Sequence, residues 1–167
     1  MGRTRRFIVQ AINLGMTITL PLMIWKLLIC LSGSDSPVTV VLSASMEPGF
    51  KRGDILFLHM SKSPIRSGDI VVFRVEGRDI PIVHRVITVH ERRDTNEINF
   101  LTKGDNNGED DRNGGIYAKG QQWLQHYHII GRVVGFPPYA GWFTIILKDK
   151  PVIKYLLFGL IAFWSST

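Results

Sequence analysis

The sequence predicts a mainly β protein: a small, strongly bent antiparallel sheet or partial barrel, with one membrane-spanning helix before it and a short apolar helix after it. Short Val- and Ile-rich runs recur between turn signals, and Gly 16 with Pro 8 favours a turn-rich sheet over a helical bundle. From Phe7 to Trp25 there are 19 residues without a formal charge, and the turn-rich region starts only after that stretch. A second apolar run, Val152 to Trp164, follows it. The expected organisation is residues 1–32 as a cytosolic N-terminus and anchor, 33–150 as a β-rich domain, and 151–167 as a C-terminal apolar segment.

The anchor comes first in the chain. Leu27 to Leu31 extend the apolar stretch past Lys26, whose long stem suits the headgroup layer. A helix of about 20 residues, rising about 1.5 Å per residue, covers the ~30 Å hydrocarbon core. A cleavable secretory signal shares the basic start, but its apolar core usually runs about 7–15 residues, and this one is longer. Arg3, Arg5 and Arg6 place their end in the cytosol and the remaining chain across the membrane.

Ser32 to Pro37 then reads as a polar linker, and Val38-Thr39-Val40-Val41-Leu42 as a strand running straight to Ser43. Further strands are expected at Ile55–His59, Ile70–Val75, Ile80–Val89, Ile98–Leu101 and Ile129–Val134. Turn signals separate them at Pro48-Gly49, Arg52-Gly53-Asp54, Ser67-Gly68-Asp69 and Glu76-Gly77-Arg78, the last as a hairpin connection. Asn106 to Gly120 is too polar and glycine-rich for a strand. At 13 residues with Lys154 inside, the closing apolar run is too short to span a bilayer alone. It suits the membrane interface, a partner subunit or a core, while the aromatic stretch Tyr139–Leu147 suits a surface dipped toward the headgroups.

Composition narrows the function classes. A chain of 167 residues is about one domain, and about 135 remain outside the anchor, enough for one modest core. The net charge is +6, but no block of five or six like charges occurs, so nucleic-acid binding has little support. Cys30 is the lone cysteine, which excludes an intramolecular disulfide and a cysteine-based metal site. No Asn-x-Ser/Thr acceptor occurs. A calcium loop from Asp105 fails at its sixth position, Asp110 instead of glycine, and at its twelfth, Ile116 instead of glutamate. No metal and no cofactor is expected.

Three polar features remain that carry chemistry. Ser45 follows a strand on a turn with small neighbours, which exposes a hydroxyl to an incoming peptide; a turn serine with a capping role looks the same. A serine needs an adjacent base to accept its proton. His84 lies in an apolar strand, where a core histidine bonded to a carbonyl is the plain alternative, and an imidazole suits proton transfer near neutrality. His59, His90, His126 and His128 lack comparable context and read as structural or surface groups. Asp105 and Asp111 are both candidates for the carboxylate that orients the imidazole, and a solvated loop is their plain alternative.

Five blocks make the pattern specific. They are Val41-Leu42-Ser43-Ala44-Ser45-Met46-Glu47-Pro48, Arg52-Gly53-Asp54-Ile55-Leu56-Phe57, Gly68-Asp69-Ile70-Val71-Val72-Phe73, Ile80-Pro81-Ile82-Val83-His84-Arg85-Val86 and Leu101-Thr102-Lys103-Gly104-Asp105-Asn106-Asn107. In this order, along nearly the whole chain, they resemble the catalytic subunits of the endoplasmic-reticulum signal peptidases, the Ser-His-Asp branch of the type I signal peptidase family. The resemblance implies a signal-peptidase-like fold, Ser45 as nucleophile, His84 as general base and Asp111 as third member. Asp105 is associated with activity in the same family. By analogy with the bacterial branch, which uses a lysine where this chain has His84, the Ser43 hydroxyl joins the Ser45 backbone N–H as an oxyanion hole. The family usually has glycine where Ala44 stands, and a positive φ there would cost alanine energy.

The expected function is therefore a membrane-anchored serine endopeptidase. It would cleave N-terminal signal peptides from secretory and membrane precursors after small residues at −1 and −3. The resemblance implies precursor polypeptides, accessory subunits and membrane lipid as partners, and no nucleic acid. It also implies a single-pass type II placement in the endoplasmic reticulum membrane with a lumenal catalytic domain. A catalytically silent β-domain scaffold of a membrane complex is the alternative. A repressor-type self-cleaving protease would need a lysine base and a DNA-binding module, and neither is visible.

Overall fold

The computed structural model describes residues 2–60, 63–92, 97–142, 145–146 and 150–166. Residues 32–142 form one compact unit, and residues 1–31 with 143–167 form another.

The helix α1 spans Arg3–Ser32, 30 residues, or about 45 Å in length, and all but its last residue belong to the second of these units. Phe7, Leu22, Met23 and most other apolar side chains along its length are exposed, with Leu28 and Ile29 half-buried near its end. Thr17 and Thr19 turn their hydroxyls back onto the carbonyls of Asn13 and Gly15 at 2.8 and 2.9 Å, so neither polar group is left for lipid to satisfy. Among the described residues this is the one helix long and apolar enough to cross a membrane. The closing helix, α2, spans Pro151–Ser166, with Val152, Tyr155, Leu156, Phe158 and Leu160 exposed.

The β unit contains β1 (Val38–Val40), β2 (Ile55–His59), β3 (Ile70–Phe73), β4 (Ile82–Arg92), β5 (Glu97–Lys103), β6 (Leu124–Gln125) and β7 (Ile129–Gly135). They pair as one antiparallel sheet in the order β1-β2-β7-β3-β4-β5-β6. Register shifts interrupt β2–β7 at Phe57/Leu58, β3–β7 at Val72/Phe73 and β4–β5 at Val86/Thr88. Each such bulge raises local twist and bends its strand, which curls a seven-stranded sheet into a half-barrel.

Alternating side chains divide the core between the two faces of this sheet. Val71, Phe73, Val86, Phe100, Tyr117, Leu124 and Ile129 pack on one face. Val41, Met46, Phe50, Leu56, Leu58 and Val72 pack on the other. Arg52-Gly53-Asp54 is the expected turn, and its chemistry is plain. Gly53 has φ +96°, and a Cβ there would lie 2.7 Å from the Trp142 ring. Buried Asp54 accepts the backbone N–H groups of Lys51 and Tyr139, each at 2.8 Å.

Several strand limits differ from expectation: β1 ends at Val40 rather than Leu42, and β5 spans Glu97–Lys103 rather than Ile98–Leu101. β3 ends at Phe73 because the register with β7 shifts there, although Val75 stays buried. β4 starts at Ile82, after a proline that has no N–H to donate to a ladder, and continues to Arg92. β6, in the glutamine-rich stretch before β7, had no Val/Ile run to announce it; Leu124 holds it by full burial opposite Phe100.

Candidate active site

Ser45 sits on a sharp turn beyond the end of β1, after the irregular stretch that follows Val40. Met46, 1% exposed, drops into the core and pins the turn, while the Glu47 and Phe50 N–H groups close it onto the Ala44 and Met46 carbonyls. From the far side of the site, the Asn106 N–H donates to the Ser45 carbonyl at 2.9 Å and its side-chain amide to the Ala44 carbonyl at 3.2 Å. Among the described residues Tyr139 is the only non-glycine with positive φ, so Ala44 meets no backbone penalty and its methyl is tolerated.

His84 lies on β4, opposite Val71 of β3, and is 2% exposed. Its Nε2 is 3.1 Å from the Ser45 hydroxyl and its Nδ1 is 2.6 Å from Asp111 Oδ2. Asp111 has no exposed surface. The loop carrying it is wound on backbone bonds: its N–H donates to the Thr102 carbonyl, and its carbonyl accepts from the Ile116 and Tyr117 N–H groups. A carboxylate only accepts, so the imidazole proton belongs on Nδ1 and the Nε2 lone pair faces Ser45. The Ser43 hydroxyl stands 3.1 Å from that of Ser45. The four side chains thus form one hydrogen-bonded line whose direction draws a proton from Ser45 toward His84.

Asp105 is placed differently. Its two carboxylate oxygens take Arg85 Nε at 2.8 Å and Nη2 at 2.7 Å, a bidentate pair, while Arg85 Nη1 donates to the Gly68 carbonyl at 3.0 Å. That guanidinium holds the Asp105 carboxyl below the usual carboxylate range, against partial burial that pushes it up, and the carboxylate in turn raises Arg85. Asp111 therefore sits on the imidazole, and Asp105 on the arginine next to it in sequence.

Between the two aspartates' elements, Gly104 leaves room that no other residue would. A Cβ there would meet the Ser45 carbonyl at 2.6 Å, the Asn107 side-chain amide at 2.8 Å and His84 Nε2 at 2.9 Å. Gly104→Ala must displace the serine turn or the imidazole, because a backbone carbonyl cannot swing aside. Overpacking of this kind costs about 1–3 kcal/mol of stability, and a shift near 1 Å in a reacting group costs about 100-fold in rate. Steady-state kinetics beside a thermal melt measures both; a variant equal to wild type in each would contradict the packing.

A groove of about 590 Å³ opens beside Ser45 and His84, walled by Leu42, Ile80, Pro81, Ile82, Val83 and Ile116. Its walls are largely apolar, and Arg78 and Asp79 lie along it. The other histidines stand elsewhere: His90 stacks on Trp123 with centroids 5.4 Å apart, and His128 Nδ1 accepts the Gln125 N–H at 3.1 Å. Among the described residues no cluster of three or more His, Cys, Asp or Glu side chains is arranged to hold a metal ion.

The model of the Peptidase S24-like family matches residues 18–134, a span that carries all four side chains of the hydrogen-bonded line. The chain belongs to this S24-like peptidase family. Relatives of this S24-like chain include the signal peptidase complex catalytic subunit SEC11C of Homo sapiens, 56% identical over 159 residues, 95% of this chain and 81% of that one. The signal peptidase complex catalytic subunit of Dictyostelium discoideum is 50% identical over 159 residues, covering 95% and 87% of the two chains. A putative human catalytic subunit, SEC11B, is 49% identical over 158 residues, 94% and 93% of the two.

Several site residues carried no readable signal in the sequence. Gly104, Arg85 and Asn106 lay inside quoted blocks but were given no part. Thr102 also lies inside one of those blocks and Tyr117 outside all of them; a threonine in a strand and a tyrosine after a polar loop are unremarkable until folding buries both beside Asp111.

Proposed function

We propose that this S24-like peptidase is the catalytic subunit of a signal peptidase complex: a membrane-anchored serine endopeptidase that removes N-terminal signal peptides during translocation. The observation that carries the reading is the line Ser45–His84–Asp111, at 3.1 and 2.6 Å, opening on an apolar groove. His84 accepts the Ser45 proton as the oxygen attacks the carbonyl of a precursor lying extended in the groove. Ser43, released from Ser45 once that oxygen bonds to carbon, turns to the oxyanion beside the Ser45 N–H, a contribution of about 2.7–4 kcal/mol per donor. Asp111 keeps the imidazole in its tautomer and stabilises the imidazolium, which then protonates the leaving amine. Water and the same base release the acyl-enzyme.

Substrates carry small residues at −1 and −3, matched to shallow apolar walls. Residues 33–150 act as the catalytic domain on the lumenal side of the endoplasmic reticulum membrane, and α1 crosses once with Arg3, Arg5 and Arg6 in the cytosol. Accessory subunits complete the assembly. The test is a serine-directed acylating inhibitor added to the membrane-bound chain with a signal-bearing precursor. Cleavage should stop as mass spectrometry finds one adduct on Ser45; cleavage that persists with Ser45 fully modified favours the silent scaffold.

A further inference from the structure

The Asp111 carboxylate is held by more than the imidazole. Thr102 Oγ1 donates to Asp111 Oδ2 at 2.6 Å, the same oxygen that takes His84 Nδ1. The Tyr117 hydroxyl is 2.9 Å from Thr102 Oγ1 and accepts the Thr102 backbone N–H at 2.9 Å. Thr102 is wholly buried and Tyr117 nearly so, with the Tyr117 ring edge-on to Phe73, itself edge-on to His84. The donors then have one consistent arrangement. The carboxylate donates nothing, so the Thr102 hydroxyl gives its proton to Asp111; the Tyr117 hydroxyl must then give its own to Thr102. Burial pushes the Tyr117 phenol up to about 12, so it keeps that proton throughout the working range. Asp111 Oδ1 has no partner among the described residues, so every bond that fixes this carboxylate meets at Oδ2.

We infer that Thr102 and Tyr117 are positioning residues for the acid–base step, a hydroxyl chain that locks Asp111 so that a single oxygen receives the His84 Nδ1 proton. The inference rests on the proposed serine mechanism. Geometry gives the chain its force: without the Thr102 hydroxyl, the carboxylate keeps one bond and is free to turn about its Cβ–Cγ axis. Rotation carries Oδ2 away from Nδ1, and the Nε2 lone pair loses its aim at Ser45. Neither residue lines the groove, so substrate binding is untouched.

The experiment compares Thr102→Val, Thr102→Ser, Tyr117→Phe and Ser45→Ala in the full membrane-bound chain, with a short signal-bearing precursor as substrate and melting followed in parallel. Valine keeps the shape of threonine and removes the hydroxyl; serine keeps the hydroxyl. T102V should lower kcat about 10–100-fold, approaching the cost of a misplacement near 1 Å in a reacting group, with KM within twofold. T102S should return kcat to within threefold of wild type, and Y117F should fall between them. A T102V kcat within twofold of wild type, with S45A inactive, overturns the inference alone; so does a loss that T102S fails to restore. Unchanged cleavage by S45A overturns the serine mechanism and the inference with it. Should T102V fail to fold, Y117F decides by the same kcat criterion, since phenylalanine keeps the ring in the core.

Discussion

Ser45→Ala should abolish cleavage of a signal-bearing precursor while the chain still folds and enters membranes. Removing the nucleophile of a serine protease lowers kcat by about a millionfold, down to the level set by binding and oxyanion contacts. The size follows from the chemistry, since without Oγ no acyl-enzyme forms and water must attack directly. Folding is spared because the turn is held by buried Met46 and by backbone bonds from Asn106, none of which uses the hydroxyl. Gel quantification of precursor and product over time, with expression and melting alongside, measures it. A variant cleaving within tenfold of wild type would remove Ser45 from the mechanism.

Asp111→Asn should lower kcat by about 10⁴-fold, through the wrong tautomer rather than through lost structure. An amide nitrogen at the Oδ2 position would donate toward Nδ1, placing the imidazole proton on Nε2, where it faces Ser45 and can accept nothing. The partner change Asp105→Asn separates the two aspartates. It removes the charge from a pair whose side chains are 38% and 22% exposed, an interaction of about 0–1 kcal/mol in such surroundings, and leaves the tautomer alone. A fall in kcat of about tenfold or less is expected. The sign with pH follows from the lowered Asp105 carboxyl. Its ion pair stabilises the fold above the ordinary carboxylate pKa, and that contribution disappears as pH falls through the lowered value. Melting curves of wild type and D105N should therefore converge in acid and separate toward neutrality. Equal kcat losses in D111N and D105N would give Asp105 the role argued for Asp111.

Which of these residues were legible in the sequence depended on how local their physics is. The anchor was readable because spanning a bilayer demands a long uncharged run, and α1 covers it. β2 and β7 were readable because each is a continuous run rich in strand-forming residues, Ile55–His59 and Ile129–Gly135. Leu124 was not: a two-residue strand has no periodicity, and only its partner Phe100 and the core behind it define it. The end of β3 was equally hidden, since a bulge is a relation between two strands.

The site divides along the same line. Ser45, His84 and the two aspartates stood out as residue types suited to proton transfer, and the quoted blocks gave their order. The sequence by itself determined the membrane helix, the mainly sheet character and the inventory of reactive groups, because these depend on composition and short-range pattern. Tertiary structure alone decided that Asp111, 27 positions from His84, meets the imidazole while Asp105 goes to Arg85. It also decided that Thr102 and Tyr117 stand behind that carboxylate, and that Gly104 must lack a side chain. Those are distances between elements brought together by a curled sheet, and no stretch of chain records them on its own.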